Sequence, residues 1–287
     1  MSHVPARLRS VLFAPASRPD VLRKLPRSGP DAVVLDLEDA VPADGKPEAR
    51  VHARDVGAEL ADEHPTLAVF VRVNAVSSPW FVDDVRDGLA PGLTGVVVPK
   101  VETRADVEAA AQALDRADLG GLSAFAGVET ALGVARVDEL LSPPVAAVYF
   151  GAEDFIADMG GVRTEAGTEV LYARSRVALA ARVAGVLAVD QIVAAFDDDE
   201  RYLADARQGR AIGYGGKLCI HPAQVPLANE AFSPSADDVD RARRLPAAYD
   251  EARRAGHAAI AFEGQMVDEP MARRARATVS AAEEDER

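Results

Sequence analysis

Short apolar runs rich in β-branched residues recur along the chain, each followed by a stretch with helical periodicity. No other feature limits the possible folds as much. The runs fall at residues 11–13, 32–37, 68–73, 95–99, 123–128, 145–150, 187–192 and 217–220, and their length and composition mark them as buried strands. Between them lie amphipathic stretches such as TRADVEAAAQALDR, residues 103–116, where Val107, Ala111 and Leu114 share one helical face and Thr103 is placed to cap it. Strand and helix alternating eight times implies parallel strands with right-handed crossovers, the number needed to close a barrel. A doubly wound open sheet is the alternative. No glycine-rich dinucleotide fingerprint follows the first run, and polar residues stand at nearly every strand end. The expected fold class is therefore α/β, a (β/α)8 TIM barrel.

Active sites of this architecture lie at the C-terminal mouth of the barrel. The expected strand ends carry Ser17 and Arg18, then Asp36, Glu38 and Asp39, Arg72 and Asn74, Lys100, Glu129, Glu153 and Asp154, Asp190, and His221. The second run, VVLDLEDAV, packs three acids into four residues. Unpaired buried carboxylates are costly, so these acids belong where the chain leaves the core and meets water and cations.

After His221-Pro222 the alternation stops. A linker-like FSPS is followed by a charged helix over residues 237–256, a small apolar run at 258–262 and a second helix from 269. That is too little for an independent domain. The expected division is a TIM-barrel catalytic domain, 1–231, and a C-terminal helical appendage, 232–287, which packs on a barrel, its own or a neighbour's. The closing AAEEDER is expected to fray.

Composition excludes several classes of partner. A formal net charge of -14 over 287 residues argues against nucleic acid and anionic membrane surfaces, so an anionic ligand needs a local basic cluster. The only cysteine, Cys219, forms no intrachain disulfide and reads as core filler, which points to a reducing cytoplasm. The N-terminal apolar run is too short for a signal peptide, and no segment approaches the roughly 18 apolar residues of a membrane span. The expected localisation is cytoplasmic.

Several groupings could do chemistry. Glu129 and Asp154 end adjacent strands, and two oxygen ligands completed by water and a bidentate substrate make an open Mg2+ site. Glu153 competes for the ligand role, and salt bridges to Arg72 or Lys100 explain the same acids equally well. Arg72 suits a carboxylate clamp because its planar fork meets two oxygens at once. An ion pair with Asp36 or Glu38 is as good a reading. His221 in its IHP turn fits a packed residue better than a base. Arg18 and Lys24 flank the first helix and could hold phosphate, or simply face water. Lys46 and Arg50 could reach back to the acids, join that anion site, or face solvent.

The motifs RSVLFAPASRP, LDLEDAVPADGKPEAR, VRVN, VVPKVE, GVETALG, YFGAEDF and GYGGKLCIHPAQV run in order across almost the whole chain. In them the sequence resembles the citrate lyase beta-subunit-like branch of the HpcH/HpaI aldolase family, which includes citryl-CoA, malyl-CoA and citramalyl-CoA lyases. The resemblance implies a homotrimer, or a hexamer built from trimers, that binds Mg2+ and a CoA thioester. By position, Glu129 and Asp154 look like the metal ligands, with Glu129 also at the substrate, and Arg72 like the keto-acid clamp. Asp36, Glu38 and Asp39 would orient the coordination sphere. Arg18 and Lys24 resemble contacts to the CoA phosphates, and Lys46 and Arg50 match a KxxAR pattern. Asp268, in GQMVDEPM, resembles an acid/base residue that the appendage, acting as a lid, delivers to a neighbouring subunit's site. Ala16 departs from the glycine common in the PGxR turn.

The implied reaction is cleavage of a 3-hydroxy-3-carboxyacyl-CoA to an acyl-CoA and a 2-oxo acid, or the reverse condensation. A malyl-CoA-type thioesterase, a CoA-independent 2-oxo acid aldolase and a non-catalytic subunit of a larger complex are the alternatives.

Overall fold

The computed structural model describes residues 4–285. Eight parallel strands form a closed barrel: β1 Ser10–Pro15, β2 Ala32–Asp36, β3 Ala68–Arg72, β4 Gly95–Val98, β5 Ser123–Val128, β6 Val145–Phe150, β7 Leu187–Asp190 and β8 Gly216–Cys219. The eight expected runs are all present. β1 is longer than its apolar stretch because Ser10 pairs with Lys217 of β8 and Pro15 with Asp36 of β2, which extends the ladder at both ends. The barrel closes where β1 meets β8, and there Gly216 is required: a Cβ would lie 1.6 Å from the Leu8 carbonyl oxygen.

Strand side chains alternate between faces. One parity fills the barrel with Val34, Phe70, Val97, Phe125, Tyr149, Val189 and Leu218, of which Phe70, Phe125 and Tyr149 meet edge to face at 5.6 and 5.5 Å. Such pairs add about 0.5–1.5 kcal/mol each beyond the burial of their area. Continued to the strand ends, the same parity turns Asp36 and Arg72 inward at the mouth, where they are register partners. Asp190 and Lys217 have the opposite parity. They face the helix layer, so Asp190 does not belong to the mouth, where the sequence placed it.

There Arg174 and Lys217, both fully buried, share Asp190, at 2.8 Å from Arg174 Nε and 3.2 Å from Lys217 Nζ. Asp205 on the helix Asp199–Ile212 completes the cluster.

The helix Arg104–Arg116 begins where expected, with Thr103 donating to Asp106 through its amide at 2.8 Å and its hydroxyl at 3.0 Å.

The described residues divide after Asn229 into two compact units. In the second, the helices Ala236–Arg254 and Glu269–Asp285 accompany a hairpin of Ile260–Phe262 and Gln265–Val267. The apolar run at 258–262 signalled only its first strand. Its turn uses Glu263 at φ 49° and Gly264 at φ 77°, the left-handed pair that a two-residue hairpin turn needs. The last helix runs into the acidic tail as far as Asp285, and residues 286–287 lie outside the described part. So do residues 1–3 of the N-terminal segment. No helix among the described residues is long and apolar enough to cross a membrane.

Candidate active site

A cavity of about 470 Å³ opens at the C-terminal mouth of the barrel, lined by Phe13, Asp36, Asp39, Arg72, Glu129, Tyr149, Glu153, Asp154 and Ile220, among others. Arg72 donates from Nε and Nη2 to the two oxygens of Asp36, each at 2.7 Å, and its Nη1 stands 2.8 Å from Glu38 Oε2. The guanidinium also lies 5.4 Å from the Phe13 ring centre. Burial opposes its charge, but Asp36 more than compensates and raises the Arg72 pKa. The ion-pair reading of Arg72 therefore holds, and the Nε edge of its fork is committed to Asp36. The edge formed by Nη1 faces Glu38.

Glu38 is held by its own loop and by the residue after β4: its amide donates to Asp36 Oδ1 at 2.9 Å and its Oε1 accepts from Lys100 Nζ at 2.6 Å. Burial pushes its carboxyl up to about 7, against the opposing pull of Arg72. Glu129 follows β5 and is buried, with Oε2 accepting the Lys100 amide at 3.1 Å. Burial raises its pKa, Tyr149 and Arg72 work against that rise, and Asp154 adds to it. Glu129 lies against Gly151, where a Cβ would come within 2.4 Å of its Cγ. The Tyr149 hydroxyl is buried beside Glu129 without a well-formed hydrogen bond.

Asp154 sits in the first turn of the helix Ala152–Asp158, after β6, with its side chain 42% exposed. Glu153 points instead toward Arg163, whose Nε is 3.5 Å away. Lys100 joins the acids: besides Glu38 its ammonium lies 3.6 Å from Asp39 and 3.8 Å from Asp154. Burial opposes that charge too, but Glu38 outweighs it and raises the Lys100 pKa. Among the described residues no three His, Cys, Asp or Glu groups converge to hold a metal unaided.

The remaining candidates divide clearly. Lys46 and Arg50 are buried and reach back. Lys46 Nζ donates to the carbonyls of Leu37 and Glu38 at 2.7 and 3.0 Å and to Asn74 Oδ1 at 3.0 Å. Arg50 donates to Asp84 at 2.7 Å, and Asp84 accepts from Asn74. The two cations thus fix the acidic loop and take no part in an external anion site. Arg18 is exposed and pairs with Asp20 at 3.2 Å, and Lys24 is exposed as well. Neither lines the cavity, and the helix between them is only the four residues Pro19–Leu22. His221 is exposed, accepts the Ala223 amide and lies against Phe196. Asp268 belongs to the second unit, where its Oδ1 accepts the Met271 amide at 3.4 Å before the last helix.

Sequence reasoning missed Tyr149 as a site residue and treated Lys100 only as a possible ion-pair partner. Strand parity would have found the first, since Tyr149 is two residues before Gly151 on the inward face. Lys100 was placed at the mouth, but its joint hold on Glu129, Glu38, Asp39 and Asp154 was not legible, because it depends on a backbone turn at φ 52°.

The family model described as HpcH/HpaI aldolase/citrate lyase matches residues 9–222. A citrate lyase subunit beta-like protein of Deinococcus radiodurans is 56% identical, over 98% of this chain and 99% of the relative. An L-malyl-CoA/beta-methylmalyl-CoA lyase of Rhodobacter capsulatus is 35% identical, over 97% and 96%. Among solved structures, CitE from Mycobacterium tuberculosis in complex with magnesium, acetoacetate and coenzyme A matches with a TM-score of 0.82 at 34% identity, over 97% of this chain and 99% of that one.

Proposed function

The chain belongs to the HpcH/HpaI aldolase/citrate lyase family, and from that premise we propose that it is a Mg2+-dependent carbon-carbon lyase. Its substrate is a 3-hydroxy-3-carboxyacyl-CoA of the malyl-, citramalyl- or citryl-CoA type, split to an acyl-CoA and a 2-oxo acid, or formed from them. The observation that carries this reading is the meeting of Glu129, Asp154 and Arg72 at one cavity in the mouth. The solved CitE complex, with magnesium, an oxo acid and coenzyme A together, supports it.

The residues fit the cation. Their donors are hard carboxylate oxygens, two rather than a closed cage, which is how Mg2+ is usually held while it keeps waters and substrate oxygens. Glu129 and Asp154 would be the ligands, with Glu38 and Asp39 orienting the waters around them. When bound, Mg2+ would polarise the substrate's hydroxyl and carboxylate oxygens as a Lewis acid.

The chain's own groups do the rest. Arg72 takes the substrate carboxylate on Nη1, where the carboxylate displaces Glu38, since Asp36 holds the other edge. Phe13, Ile192, Leu218 and Ile220 give the cavity an apolar wall, which lowers the local dielectric and strengthens that contact. As the bond between the acyl α-carbon and the carbinol carbon breaks, its electron pair passes to the thioester enolate, the carbinol O–H loses its proton to water at the mouth, and that oxygen becomes the carbonyl of the 2-oxo acid. Asp268 supplies the proton to that carbon. In condensation it removes one, a task that needs correct placement before a suitable pKa.

In this reading residues 232–287 form a lid that carries Asp268 to a neighbouring subunit of a homotrimer, or of a hexamer built from trimers. Arg18 and Lys24 meet the CoA phosphates, and the enzyme works in the cytoplasm.

The test is cleavage of malyl-CoA, citramalyl-CoA and citryl-CoA by purified protein with Mg2+, following 2-oxo acid and free CoA together. Oxo acid without free CoA is expected from one of the three. Both together would point to an added thioesterase step, and free CoA without oxo acid would make the protein a thioesterase. No turnover with metal bound would turn the reading toward a carrier-protein-dependent subunit or a CoA-independent aldolase.

A further inference from the structure

Lys100 touches every acid of the metal-binding half of the site. Its amide donates to Glu129 Oε2 at 3.1 Å, and its ammonium lies 2.6 Å from Glu38, 3.6 Å from Asp39 and 3.8 Å from Asp154. One residue manages both because it follows β4 with φ at 52°, a left-handed conformation that side-chain-bearing residues avoid unless the surroundings impose it. Arg72 pairs with Asp36 and Glu38. The ion pairs of Asp154 and Asp39 within 4 Å are made by Lys100, while Lys46 acts on Asp39 from farther off.

A divalent cation entering between Glu129 and Asp154 brings two further positive charges within a few ångströms of that ammonium, where like charges repel strongly. We propose that Lys100 is the site's resident counter-cation: it holds Asp154 and Asp39 beside Glu129 in the metal-free protein and yields Asp154 when a divalent cation enters. It thereby sets metal affinity by competition. The proposal rests on the reading that Glu129 and Asp154 are the metal ligands.

The experiment titrates full-length wild type, Lys100→Met and Glu129→Gln with Mn2+ at pH 8, reading free Mn2+ by electron paramagnetic resonance. Wild type is expected to bind one ion, Lys100→Met to bind it about tenfold tighter, equivalent to about 1.4 kcal/mol, and Glu129→Gln to lose it. Equal or weaker affinity in folded Lys100→Met overturns the proposal while leaving the site reading intact. No binding by wild type overturns both.

A second measurement needs no variant. The chain has four lysines, Lys24, Lys46, Lys100 and Lys217, of which Lys24 is exposed and Lys46 and Lys217 are buried. Acetylation by an N-hydroxysuccinimide ester, mapped by mass spectrometry, should label Lys100 more strongly relative to Lys24 once Mn2+ saturates the protein. Unchanged or reduced labelling contradicts displacement.

Discussion

At the scale of single residues, the site is a set of buried charges that hold one another in place. Asp36 and Arg72 are paired by register, so their ion pair is made by the sheet itself. Glu129 has less freedom, being buried against Gly151. Gly151→Ala would put a methyl carbon where the Glu129 side chain stands, and a buried carboxylate cannot step aside without losing the Lys100 amide. We expect Gly151→Ala to fold and to bind Mn2+ at least about tenfold more weakly than wild type, a loss of about 1.4 kcal/mol. Wild-type affinity in that variant would show that Glu129 is not a ligand. The carboxylates were legible in the sequence because acids ending apolar strands have few other homes. The partner of Arg72 was not, because spacing alone offered both Asp36 and Glu38, and the structure uses both.

At the scale of elements, one residue of parity separates a charge at the mouth from one in the helix layer. Asp36 and Arg72 continue the inward set of their strands, whereas Asp190 and Lys217 point outward and join two helices to the barrel wall through Arg174 and Asp205. The sequence did not distinguish these cases, since both sets end apolar runs. Burial raises the Asp205 carboxyl, but Lys217 and Arg174 outweigh it and hold its pKa below the usual carboxylate range. A depressed folded-state pKa means stability that is present above the ordinary carboxylate pKa and lost as pH falls from there through the lower folded-state value. Asp205→Asn removes that contribution and leaves Lys217 with less compensation. Urea unfolding should find the variant about 3 kcal/mol less stable at pH 7, with the gap narrowing below about pH 4. A gap independent of pH would remove Asp205 from the charge balance. The hairpin after residue 258 was half legible for a different reason: Gln265–Val267 is three residues long and mostly exposed, so it carries no periodic signal.

At the scale of the whole molecule, the barrel could be counted from the sequence because each βα unit repeats the same switch of period. The role of the remainder could not, because it depends on what residues 230–287 meet. If the lid reading is right, metal binding and turnover separate physically. A chain ending at residue 234 keeps the eight strands and the cavity, and should bind Mn2+ within about threefold of wild type. It should lose turnover by at least about a hundredfold, on the scale of a missing general acid, and full-length Asp268→Ala should lose a similar factor. Turnover that survives in both would place the proton donor in the barrel.

The most direct test of the central claim, that carboxylates at the barrel mouth hold the cation on which carbon-carbon cleavage depends, is release of 2-oxo acid from the cleaved thioester, titrated with Mg2+ in wild type and Glu129→Gln. Saturable, chelator-reversible release in wild type is expected, with the variant slower by about a thousandfold or more at any Mg2+ concentration, about 4 kcal/mol of lost transition-state stabilisation. Full release in the presence of chelator, or wild-type rates in Glu129→Gln, would contradict it.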